Sequence, residues 1–197
     1  GIDINLSADV ESTASAMLDA EMRLRAKAYV GLLLIGLNLL FLFGLYRLLH
    51  EDGPLLSLWS VGAGLMSTVF GVFGIVTAMN VAHLAGVDAY QSLATGEERL
   101  LLAGLQATTD YTSFHLSLIL SSAANVGFFV LFLRSGGLPK IIAGWGVFAS
   151  LFVVAVLVLR DFIPVLGGDV VTAAFMISNL TALIALGVYL TIKGVRA

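Results

Sequence analysis

His83 and His115 are the residues whose type and placement best suit chemistry. Two imidazoles facing each other across a helical bundle can ligate a haem iron or a metal ion, with Asp88 or Asp110 as a carboxylate partner. His83 lies near the end of one apolar run, and His115 lies roughly 6 to 8 Å inside the next at 1.5 Å per residue. Antiparallel neighbours are therefore expected to hold the two rings at similar height. The plainer use of each ring is a hydrogen bond to an adjoining helix near the headgroups. On that reading no cofactor and no metal ligand are assigned, and haem held by His83 and His115 is the alternative. His50 falls at the opposite face.

The second polar set is Asn38, Asn80, Asn125 and Asn179, one in each of four apolar runs. An amide surrounded by hydrocarbon must find a partner, so these side chains are expected to face the bundle interior as a polar seam that sets helix register. The sharper alternative is a path for a small solute or ion. Such a path usually shows intramembrane carboxylates, basic residues or paired broken helices, and none is evident in the sequence. Walker, HExxH and GxSxG patterns and paired intramembrane carboxylates are also missing, so the residues lean against an enzyme.

The elements that must position these residues are set by composition. Of 197 residues 59% are hydrophobic and only 12% charged, with a mean hydropathy of +1.00, so the solvent is lipid. Apolar runs at 29–49, 55–84, 111–133, 138–162 and 170–192 are each long enough to cross about 30 Å of hydrocarbon. They are continuous, and too long for barrel strands. The expected fold is all-α, a polytopic transmembrane bundle over residues 29–193, preceded by a polar, amphipathic segment at 1–28 and followed by a tail at 194–197.

Two shorter helices are expected at the surface. In SADVESTASAMLDAEMRLR, Ser7 suits an N-cap, Asp9 and Glu11 the first turn, and Val10, Ala14, Met17 and Leu18 share a face. In TGEERLLLAGLQ, Thr95 and Glu98 have capping-box spacing. Trp59, Tyr29, Tyr111 and Tyr189 sit at span ends, where amphipathic rings settle at the lipid boundary. Dense small residues, such as Ala63, Ser67 and Gly71, allow close helix approach.

Cysteine is absent, which removes disulfides and thiolate chemistry. A net charge of −3 without a basic stripe argues against nucleic acid as a partner. Lys and Arg are balanced between the two faces, with Arg47, Arg134, Lys140, Lys193 and Arg196 on one and Arg23, Arg25, Lys27, Arg99 and Arg160 on the other. The basic residues of the first set sit tight against short loops, which favours a cytoplasmic C-terminus. Gly1 stands where an initiator Met is expected, so an upstream piece is expected to have been cleaved, trimmed or left out.

The stretch LRSGGLPKIIAGWG, with the Asn near the end of GIVTAMN and the His opening the third span, resembles the bacterial membrane proteins grouped as domain of unknown function family 4386. The likeness runs from about Ala8 to Lys193. It implies a bacterial inner-membrane protein, with a sixth span ahead of the polar stretch in the complete family member, and it brings no activity. The function expected from the residues is association: an accessory or structural subunit whose partners are membrane lipids and a second membrane protein or further copies of itself. A haem or metal redox protein and a small transporter or channel are the alternatives.

Overall fold

The computed structural model describes residues 10–194. Among them are seven α-helices: α1 Val10–Leu18, α2 Glu21–Leu49, α3 Pro54–Gly86, α4 Asp88–Leu93, α5 Gly96–Ser135, α6 Lys140–Leu159 and α7 Asp169–Lys193. A 3-10 turn at Pro164–Gly167 precedes α7. Helices α2, α3, α5, α6 and α7 are each long and apolar enough to cross a bilayer. The chain is a multi-pass helical membrane protein. It divides into two compact units, one made of Gly1–Asn38 and Thr68–Ser117 and the other of Leu39–Ser67 and Leu118–Ala197. Helices α2, α3 and α5 contribute to both.

The first unit is built on small residues. Ala14, Ala28, Ala78, Ala82, Ala103 and Ala107 are buried together with Met17, Leu24 and Val81. The alanines let four helices approach closely, and the larger side chains fill what remains. Ala14, Met17 and Leu18 of α1 do share the inward face that their spacing suggests, whereas Ser7 and Asp9 lie outside the described residues. The helix is packed into this core and does not lie alone on a surface. Helix α2 begins at Glu21, ahead of the apolar run: Glu21 and Arg25 pair at 2.9 Å one turn apart, and Leu24 and Ala28 are buried.

TGEERLLLAGLQ is not a separate short helix. It is the start of α5, a helix of 40 residues, twice as many as the roughly 20 that cross the hydrocarbon. The capping box itself is formed: the Thr95 N–H donates to Glu98 Oε2 at 2.7 Å, and the Glu98 N–H donates to Thr95 Oγ1 at 3.3 Å. The polar ATTD that follows does not interrupt the helix, because its polar side chains each have a use. Thr108 and Thr109 donate to the carbonyls of Gly104 and Leu105, and Asp110 finds a cation on another helix.

The second unit has a core of Phe128, Phe129, Leu131 and Phe132 from α5 against Leu42, Leu45 and Leu49 of α2, Val61 of α3, Ala143 and Ala149 of α6, and Ala182 and Leu186 of α7. Large rings on one helix meet small residues on the next. The Phe129 ring lies directly on Gly146, where a Cβ would collide with it. In lipid such fit holds helices together, because moving an apolar group from lipid to protein yields no hydrophobic gain. The α5–α6 turn closes as RSGGLPK suggests: Gly136 takes φ +69 and its N–H reaches the Phe132 carbonyl at 3.1 Å, while Leu138 tucks into the core. Helices α6 and α7 then form an antiparallel hairpin, tied by the Trp145 indole N–H donating to the Ser178 carbonyl at 3.3 Å.

Candidate functional site

Asp110 is a buried carboxylate in the first unit. It continues the stripe of Ala103 and Ala107 at helical spacing, so the same face of α5 that packs through methyl groups carries an acid one turn later. Its Oδ2 accepts from Lys27 Nζ of α2 at 2.7 Å. Its Oδ1 faces Gly74 of α3, where a Cβ would stand 2.8 Å away. Thr77 of α3 donates to the Gly74 carbonyl at 3.1 Å. One acid thus joins three helices.

The electrostatics are lopsided. The Asp110 side chain is only 9% exposed and that of Lys27 41% exposed. The pair sits where the apolar runs begin, since Tyr29 and Tyr111 open those of α2 and α5. Lys27 can therefore lay its methylenes along α2 and keep part of its ammonium towards the headgroups, while Asp110 depends on Lys27 for compensation. A carboxylate closed on an ammonium is a clasp. It presents no free nucleophile or base.

The sequence places Lys27 in the amphipathic segment 1–28 and offers Asp110 only as a carboxylate partner for histidine. The signal that could have found the pair is the spacing Ala103, Ala107, Asp110 within an unbroken helix. Reading α5 as starting near Tyr111 hid it.

The histidines are not brought together. In the first unit α3 and α5 run antiparallel, and two cross-links set their register: the Asn80 amide donates to Gln106 Oε1 at 3.2 Å, and Gly74 lies against Asp110. His83 stands three residues beyond Asn80 on α3, and His115 nine beyond Gln106 on α5, in the opposite direction. The rings are separated by roughly 18 to 21 Å along the helix axes at 1.5 Å per residue. The expectation of similar height is therefore corrected; it failed because it took the third span to begin at Tyr111. His115 Nδ1 lies 2.8 Å from the Tyr111 carbonyl, and its ring packs on Tyr111 at 4.0 Å and on Phe114 at 5.9 Å. His83 is half-buried near the end of α3. Among the described residues no group of three or more His, Cys, Asp or Glu is placed to hold a metal ion.

The asparagines divide. Asn38 donates to Thr68 Oγ1 at 3.0 Å and Asn80 to Gln106, so both hold register between helices of the first unit, although both are largely exposed. Asn125 and Asn179 are half-buried in the second unit, and Asn179 Oδ1 is buried without a hydrogen-bond partner. Two of the four thus belong to each unit.

No curated protein and no solved structure matches the chain. A family described as a domain of unknown function does, over residues 2–194, which takes in the clasp, both histidines and all five apolar helices. The helical membrane architecture and the family match agree, and the chain belongs to the domain of unknown function family DUF4386.

Proposed function

We propose that the protein is an accessory or structural subunit that works by helix association within the membrane and carries out no chemistry of its own. One observation carries this reading. The apolar windows of α2 and α7 are only 17% buried within the chain, and both helices turn glycines outward: Gly36 and Gly44 on α2 and Gly187 on α7 have nothing within 4 Å of where a Cβ would be. A glycine inside a helix costs about 1 kcal/mol relative to alanine. In a membrane helix its return is close approach of another helix. The clasp of Lys27 and Asp110 supports the same reading, because it uses the buried acid to tie helices together.

The partner is a second membrane protein or another copy of this chain. Purification in mild detergent should recover a stable second component or a defined homo-oligomer, and Gly187→Leu or Gly36→Leu should weaken it. A monomeric particle unaffected by either substitution would count against the proposal. We further infer residence in a bacterial inner membrane with the C-terminus in the cytoplasm, supported by the basic residues Arg134 and Lys140 flanking the short α5–α6 turn. Fusing a reporter active on one side of the membrane to the C-terminus tests that orientation.

A further inference from the structure

We propose that the second unit holds a water-binding site at the middle of the α5–α6 pair, formed by Ser122, Asn125 and Ser150.

The placement follows from one contact. Phe129 of α5 lies on Gly146 of α6, and the two helices are antiparallel across a tight turn. One turn back along α5 from Phe129 is Asn125, and one turn forward along α6 from Gly146 is Ser150. Both steps lead the same way, so the amide and the hydroxyl oppose each other. A further turn along α5 on the same face brings Ser122, which is opposite Val153. Ser122, Ser150 and Val153 are all fully buried. Ser150 is the eleventh of the 20 residues of α6, which puts the group at the centre of the span.

The chemistry asks for a ligand. A hydroxyl inside a membrane helix normally donates to a carbonyl one turn back, as Ser60 does to Leu56, Thr181 to Ile177 and Thr191 to Gly187 in this same unit. Ser122 Oγ and Ser150 Oγ do not; both are buried with no hydrogen-bond partner in the protein. A hydroxyl in that position costs free energy unless something bonds to it, and here no bulk water is at hand. Asn125, half-buried one turn from Ser122 and opposite Ser150, has two amide donors and a carbonyl acceptor. A direct amide–hydroxyl bond could satisfy Ser150 but would leave Ser122. One water accepts and donates to two to four polar groups and can satisfy Ser122, Asn125 and Ser150 together. The site lacks charged residues, which suits a neutral ligand.

The test is a thermal-unfolding cycle on the full chain in detergent with Ser122→Ala, Ser150→Ala and the double variant. Alanine is a better helix former than serine, so a loss in either variant runs against propensity and reports contacts made by the hydroxyl. A shared water predicts that each single variant lowers Tm by about 2 to 4 °C. It also predicts that the double variant loses clearly less than the sum, although the two serines stand on different helices and do not face each other. If Ser150→Ala alone lowers Tm, the contact is a direct bond from Asn125 and the proposal is overturned. Unchanged or raised Tm in both variants, or strictly additive losses, would also overturn it.

Discussion

Lys27 Nζ stands 2.7 Å from Asp110 Oδ2, 83 positions away in sequence, and the acid is far more deeply buried than the base. Removing either partner therefore has unequal consequences. Lys27→Met leaves a carboxylate in a nearly closed site against Gly74, with a cost of about 3 kcal/mol. Asp110→Asn leaves Lys27 with part of its side chain exposed, and the loss should be nearer 1 kcal/mol. Denaturant or thermal unfolding of the two variants in detergent checks the order. Equal losses would mean that the clasp is an ordinary surface pair.

The capping box at the start of α5 gives a second expectation. Thr95 and Glu98 satisfy each other's backbone N–H groups, and the helix they begin is the long one that carries Asp110. Thr95→Ala should lower Tm by about 2 to 4 °C, while Thr95→Ser, which keeps the hydroxyl, should change it little. Circular dichroism during heating measures both.

These two features show what was legible in the sequence. Five long apolar helices, the Thr95–Glu98 box and the Gly136 turn all rest on neighbours in the chain, and such local signals can be read residue by residue. The Lys27–Asp110 clasp depends on which faces of α2 and α5 meet, and that depends on the register between helices. Register in turn comes from contacts such as Phe129 on Gly146 and Asp110 on Gly74, in which the informative residue is a glycine with no side chain to advertise its role. The division of the four asparagines between two units has the same cause. Each amide looked alike in its own apolar run, and only the meeting of helices gives Thr68 to Asn38 and Gln106 to Asn80.

The separation of His83 and His115 has its own consequence. Residues roughly 18 to 21 Å apart along the helix axes, with no shared partner, should contribute independently. His115 is engaged with Tyr111 and Phe114, so His115→Ala should destabilise more than His83→Ala. The double variant should equal the sum of the two within about 0.5 kcal/mol. An interaction energy well above that, or a Soret band in purified protein that disappears in either single variant, would restore the histidines as a pair.

Gly144 and Gly146 lie two residues apart on α6 and should respond to alanine in opposite directions. At Gly144 an added methyl group meets nothing within 4 Å, so the better helix propensity of alanine acts unopposed and stability should rise by about 0.5 to 1 kcal/mol. At Gly146 the same methyl collides with the Phe129 ring, which is fully buried and wedged among Phe128, Leu131 and Phe132. That ring cannot swing aside without disturbing the core, and the expected loss is about 1 to 3 kcal/mol. Pairing Gly146→Ala with Phe129→Leu separates collision from propensity: the shorter side chain should make room, and the combined variant should lose less than the two single losses added together. If Gly146→Ala proves as harmless as Gly144→Ala, then α5 and α6 do not meet at Phe129, and the opposition of Asn125 and Ser150 built on that contact falls with it.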